Sequence, residues 1–351
     1  MASGFQSRSS LKHTMLPGAG LRVTVSQNPH LAGSGWGFFR TLRFRMAFRI
    51  SPLQFLATAV LALCSTWAAA QTLALSFDDG FNPSTQPQAN QWNEQILTSL
   101  RDHQIQATLF PSLARMGGTE GLGLVQAWSR EGHRVGNHTA SHKSLADPAL
   151  SLEDFIADVQ LADTAFKSLP TFTPMLRFPY LKEGDTLAKR DGFRQWMAAH
   201  DYKSAPVSID ASDWYYSRVF ADHVQAGDSA KAERVKEQYI LHLLDRASYY
   251  DQLAQELLGR SPPHVILLHT NQINAAALPD VIAAFTARGW TITSTEKAFQ
   301  DPLYAQAPDT LPAGESIIWA LAKARNMPNL RYPAEDSVYE EPLLKQAGLL
   351  P

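Results

Sequence analysis

Leu73-Ala-Leu-Ser-Phe-Asp-Asp-Gly80 starts as an apolar run of strand character and ends in two adjacent carboxylates and a glycine. The glycine permits a tight turn at the strand's end. Neighbouring carboxylates repel, so a buried Asp78 and Asp79 call for a cation, and one could hold a metal while the other acts as a base. Alone, an Asp-Asp-Gly turn is an ordinary way to leave a strand. Its meaning depends on what surrounds it.

Working outward, short apolar runs alternate with longer amphipathic ones, the pattern of parallel strands joined by crossover helices. Seven strands are expected, at 72–77, 107–110, 133–137, 174–178, 203–209, 264–269 and 290–294. Helices are expected at 88–101, 151–168, 186–200, 229–258 and 278–288, the second opened by a capping box at Ser151. In a parallel (β/α) barrel the carboxyl ends of the strands share one face, where reactive residues distant in sequence can meet. Five of these strands carry such residues at or just past their ends: Asp78 and Asp79, His138 and His142, Arg177, Asp210 and Asp213, and His269.

Each group has a chemical reading. His138 and His142 stand four residues apart, a spacing that faces both imidazoles one way if the backbone turns helically there. With Asp79 they make a two-histidine, one-carboxylate set that leaves positions for water and substrate, as a hydrolytic metal centre requires. Arg177 can pair bidentately with Asp78, and Asp213 can hydrogen-bond His269 and favour its charged form. Trp214, Tyr215 and Tyr216 read equally as cleft aromatics or as core.

These five stretches, in this order, resemble the NodB-type polysaccharide deacetylases, carbohydrate esterase family four, from about Leu73 to Ser294. The resemblance implies a distorted (β/α) barrel of about seven parallel strands. It also implies a divalent metal on Asp79, His138 and His142, Asp78 as general base oriented by Arg177, and His269 as general acid tuned by Asp213. Tyr180 would supply a backbone N–H to the oxyanion and, with Trp214, bind substrate. The implied reaction removes N-acetyl groups from N-acetylglucosamine-containing glycans, whether chitin-like, peptidoglycan or exopolysaccharide. Zinc suits the ligand set, with cobalt, nickel and manganese as chemical alternatives. An O-acetyl esterase, a non-sugar amidase or a silent glycan-binding protein are the competing readings. The chain departs from the family pattern at Ser76, where threonine is usual, and at Thr270-Asn271, where an acid is common. The span from Trp214 to His269 is also longer than in compact members; its helical insertion, about 219–260, is expected to cap or border the cleft.

The remaining sequence sets boundaries. Residues 1–70 hold seven of the 31 Lys and Arg and none of the 33 Asp and Glu, so the body carries 24 minus 33, or −9. An acidic body with no basic block argues against nucleic acid as the main partner. Residues 46–70 have the basic, apolar and small-residue parts of a signal peptide, so the mature protein is expected to be periplasmic or extracellular, with no stable membrane insertion. Residues 1–45 read as a doubtful extension before the true start. The only cysteine, Cys64, lies in this leader. The catalytic domain is expected over 71–300 and a tail with no assigned role over 301–351; oligomeric state is not legible.

Overall fold

Strand β1 (Thr72–Asp79) is buried from Leu73 through Asp78, as a strand covered on both faces must be. The computed structural model describes residues 71–333 and 337–350, all within one compact unit spanning 67–351. The expected leader and the extension before it lie outside the described residues.

The remaining strands are β2 (Thr108–Pro111), β3 (Arg134–Asn137), β4 (Phe172–Leu176), β5 (Lys182–Gly184), β6 (Lys203–Ser204), β7 (Pro263–His269), β8 (Thr291–Thr293) and β9 (Ala313–Gly314). Seven of them form one parallel sheet in the order β6-β4-β3-β2-β1-β7, with β8 paired to the start of β1. All seven expected strands are present. The strand expected over 203–209 is a correction in form: only Lys203 and Ser204 pair with β4. Further on, Ile209 bridges Ile266 of β7. One segment thus leaves the sheet at one edge and rejoins it at the other, curling it into a distorted barrel.

The helices are α1 (Ala89–Asp102), α2 (Leu122–Arg130), α3 (Leu152–Phe166), α4 (Leu187–Ala199), α5 (Asp213–Gln225), α6 (Ser229–Leu258), α7 (Gln272–Ala287), α8 (Thr295–Ala298), α9 (Ile317–Ala324) and α10 (Glu340–Gln346). Ser151 caps α3 as expected, its hydroxyl accepting from Asp154 N–H at 3.0 Å. Helix α7 starts six residues before the expected Leu278 because it tolerates Pro279 inside it. The insertion is two helices, and it corrects the expectation for 229–258: the cleft wall is α5, through Trp214, Ser217, Arg218, Ala221 and Gln225, while α6 packs behind it. Of the residues read as a tail, 301–333 and 337–350 are described and pack with the rest of the fold. Leu303, Ile318, Leu344 and Leu349 are buried in the main core, and β9 pairs with β5 in a small antiparallel ribbon. No helix among the described residues is long and apolar enough to cross a membrane.

Candidate active site

Register places the first two groups. β1 pairs with β7 so that Asp78 faces His269 across adjacent strands, and with β2 so that Asp79 faces Pro111. Gly80, at φ 89°, turns the chain there, and its N–H donates to Thr270 Oγ1 at 2.8 Å. Thr270 N–H in turn donates to the Asp78 carbonyl at 3.1 Å. The position where an acid is common therefore fastens the Asp-Asp-Gly turn to the strand beside it.

Asp78 and Asp79 point into different surroundings. Asp78 is buried and accepts from Arg177 Nη1 at 2.9 Å. Arg177, itself buried, also donates to the Ala205 carbonyl at 2.6 Å and to Ser76 Oγ at 3.1 Å. Ser76 Oγ–H then donates to the Ile266 carbonyl at 2.8 Å, so serine performs the hydroxyl's work where threonine is usual. Burial pushes the Asp78 carboxyl up, against Arg177 and His269, to about 6.

Asp79 has a φ of 84°, which turns its carboxylate toward His138 and His142. Its Oδ1 lies 3.3 Å from His142 Nε2 and 3.8 Å from His138 Nε2, and one ligand atom from each of the three residues falls within 4.8 Å of the others. Burial works to raise Asp79, but His142, His269 and His138 outweigh it and hold the carboxyl below its ordinary range. His138 Nδ1–H donates to the Arg177 carbonyl at 2.7 Å, which leaves the Nε2 lone pair free to face Asp79. Burial and the neighbouring His142 keep His138 well below the usual imidazole range, hence neutral. A divalent cation fits these residues. The donor set is two imidazoles and a carboxylate, and Asp79 Oδ1 is buried with no hydrogen-bond partner among the described residues. Arg115 approaches the same oxygen, with Nε at 3.6 Å.

The convergence of the histidines does not come from a helix, which corrects the spacing argument. Residues 138–142 are irregular, with φ of 66° at Thr139 and 56° at His142. A β-branched residue in the left-handed region is strained and needs support. Thr139 has it: its N–H donates to Asn137 Oδ1 at 2.8 Å, and its Oγ1 accepts from His142 N–H at 3.0 Å. The turn aims both rings inward, with centroids 4.8 Å apart.

His269 ends β7 and Asp213 opens α5, where a helix N-terminus favours a carboxylate. Asp213 Oδ1 lies 2.6 Å from His269 Nδ1. Its Oδ2 accepts from His269 N–H at 2.6 Å, Asn271 Nδ2 at 2.9 Å and Asn274 Nδ2 at 2.7 Å. Burial opposes charge on His269, yet Asp213, with Asp79 and Asp78 behind it, raises the imidazole to about 10. Sequence reasoning missed Asn271 and Asn274; the signal available was Asn271 as a cap for α7, accepting from Asn274 N–H at 3.0 Å.

A cleft of about 1120 Å³ opens over these groups, lined by Asp78, Asp79, His138, His142 and His269. Tyr180, at φ 56° and 51% exposed, borders it and packs its ring edge-on to His142. Trp214 is 37% exposed on the opposite helix, while Tyr215 and Tyr216 are core. Every expected site residue is thus at or beside the cleft: Asp213 and Arg177 lie beneath its floor and the others on its wall.

Residues 68–196 match the model of the family described as polysaccharide deacetylase. A peptidoglycan-N-acetylglucosamine deacetylase of Bacillus cereus is 27% identical over 143 residues, 40% of this chain and 46% of that protein. A chitin deacetylase of Arthroderma benhamiae is 27% identical over 150 residues, 42% of this chain and 36% of that protein. The chain thus spans less than half the length of either curated relative. A solved Streptococcus mutans CE4 esterase is 20% identical with a TM-score of 0.45, covering 65% of this chain and 87% of that one. The matched stretch is thus similar to the polysaccharide deacetylase family, and both named relatives are deacetylases, hydrolases of carbon–nitrogen bonds other than peptide bonds.

Proposed function

We propose that the protein is an exported, divalent-metal-dependent hydrolase that removes N-acetyl groups from N-acetylglucosamine-containing glycans. The observation that carries this reading is the joint placement of an arginine-held carboxylate, a two-histidine, one-carboxylate ligand set and a charged histidine on one cleft. Asp79, His138 and His142 would hold the metal, preferentially zinc, which when bound supplies Lewis-acid polarisation of the acetamide carbonyl. Asp78, oriented by Arg177, accepts the proton of the attacking water. His269, kept protonated by Asp213, donates a proton to the departing amine, leaving acetate and a free amino sugar. The Tyr180 backbone N–H contributes to binding the oxyanion, and the Trp214 and Tyr180 side chains offer aromatic surface to sugar rings.

Acetate release from N-acetylated chitooligosaccharides and from peptidoglycan fragments tests the reading. Release that disappears with chelator and returns with zinc is expected. Zinc-loaded protein that releases acetate from neither, yet cleaves an acetyl ester, would move the assignment to an esterase.

A further inference from the structure

The segment from Val207 to Asp213 closes the barrel and delivers Asp213 to His269, yet little of it is regular strand. On one side it bonds to β7: Ser208 and Ile209 N–H donate to the Val265 carbonyl at 3.0 and 3.1 Å, and Leu267 N–H donates to the Ile209 carbonyl at 3.0 Å. Its other partners come from α6 and from the chain's C-terminal residues. Ile317 N–H donates to the Val207 carbonyl and Ser316 Oγ–H to the Ser208 carbonyl, both at 2.8 Å. Arg246 Nε donates to the Asp210 carbonyl at 3.0 Å.

The arrangement is tightest at Ser212. A serine at a helix N-cap ordinarily accepts from an N–H in the first turn. Ser212 forms no such cap on α5; its hydroxyl donates instead to Glu340 Oε1 at 2.9 Å, and its N–H donates to His242 Nε2 at 3.1 Å. Because His242 Nε2 accepts, its proton sits on Nδ1, which faces Glu340 Oε1 at 3.7 Å. Glu340 is buried, one turn before Leu344, whose burial in the core fixes the helix face they share. The same C-terminal region also reaches the Tyr180 turn. Glu315 N–H donates to the Leu181 carbonyl at 2.9 Å, and a Cβ on Gly314 would stand 1.9 Å from that oxygen.

We infer that Glu340, through Ser212 and with His242 and Arg246, is a positioning residue for the Asp213–His269 pair, part of a C-terminal brace on the site. The brace itself stands on geometry; its consequence for turnover rests on the proposed deacetylase reading. Burying a carboxylate is costly unless its partners are fixed, so Glu340 holds residue 212 firmly where a serine cap alone would leave the helix start free to shift.

The test uses the full chain with Glu340→Met, which leaves no acceptor for the Ser212 hydroxyl, Ser212→Ala and the double variant. Hydrogen exchange, which needs no activity, should show His269 N–H and the 210–216 amides losing protection while those of β1 and β2 keep it. Loss confined to residues 337–346 would overturn the inference. On zinc-loaded protein, amide turnover should fall roughly tenfold with KM little changed, as expected for a displaced proton donor. Hydrolysis of 4-nitrophenyl acetate, whose leaving group needs no proton, should fall less than about twofold. The double variant should be no worse than the worse single variant, because both remove one interaction. Equal losses on both substrates would also overturn it. Wild-type protein that releases no acetate from an amide would refute the proposed function instead, and exchange alone would then decide the brace.

Discussion

Asp213 holds His269 by both its ring and its backbone, with Oδ1 2.6 Å from Nδ1 and Oδ2 2.6 Å from the main-chain nitrogen. Such a grip fixes the tautomer, the ring plane and the charge together, and Asn271 and Asn274 stop the carboxylate from rotating away. The raised imidazole value follows from this geometry, so the pair should be visible in pH dependence. A folded value near 10, against an ordinary 6.5, means the stabilisation is fully present below 6.5 and is lost as pH rises through 10. Metal-free wild type should therefore lose more stability between those limits than Asp213→Asn, as melting temperatures across that range would register. The alkaline limb of kcat/KM should lie at lower pH in Asp213→Asn than in the wild type, because the variant loses the carboxylate that favours the charged imidazole.

His269→Ala separates proton donation from the rest of the site. An amine leaves only when protonated, whereas a phenolate leaves unaided. Amide hydrolysis should fall by roughly 10²–10⁴-fold, the usual worth of a positioned acid, with ester hydrolysis much less affected. Parallel losses in steady-state rates on the two substrates would assign His269 another role.

Arg177 and Asp78 form a buried ion pair in which each guanidinium nitrogen has a partner. Removing one member leaves a buried charge unpaired, at a cost of about 3–5 kcal/mol. Arg177→Met should be destabilised on that scale in urea unfolding. Ser76→Ala, which removes one acceptor from Arg177, should cost about 1–3 kcal/mol. An unfolding midpoint unchanged in Arg177→Met would contradict the arrangement.

Metal binding should stabilise the fold by mass action, so zinc should raise the melting temperature and chelation lower it. Asp79→Asn and His142→Ala should flatten that response. Arg115→Gln should strengthen zinc binding in competition titrations, because its Nε, 3.6 Å from Asp79 Oδ1, competes with the cation for the same oxygen. Weaker binding in Arg115→Gln would show that arginine to be supporting the ligand instead.

How far the sequence could be read depended on the kind of signal. The continuous apolar runs of β1 and β7 were legible because strands covered on both faces need them. Asp78, Asp79, Arg177 and His269 were legible because they end or follow such runs. Helix α5 was not: Asp210-Ala-Ser-Asp-Trp-Tyr-Tyr216 has the aromatic content of a strand end, and what makes it helical is burial of Tyr215 and Tyr216 beneath the cleft. The start of α7 was masked by Pro279. Left-handed backbone at Asp79, Thr139, His142 and Tyr180 carries no glycine to announce it. Thr139 and His142 are supported by local hydrogen bonds, but the Asp79 carbonyl accepts from Ser112 N–H at 2.9 Å, a partner that only the folded chain brings near. The place of Glu340 was hidden for the same reason, since its partner Ser212 is 128 residues away.

The central claim is that Asp78 takes the proton in a metal-dependent deacetylation. Acetate release from an N-acetylated glycan, measured side by side for wild type and Asp78→Asn at equal zinc content, tests it most directly. Release by the wild type and a loss of roughly 10²-fold or more in Asp78→Asn is the predicted result. Equal release by both proteins would contradict the account.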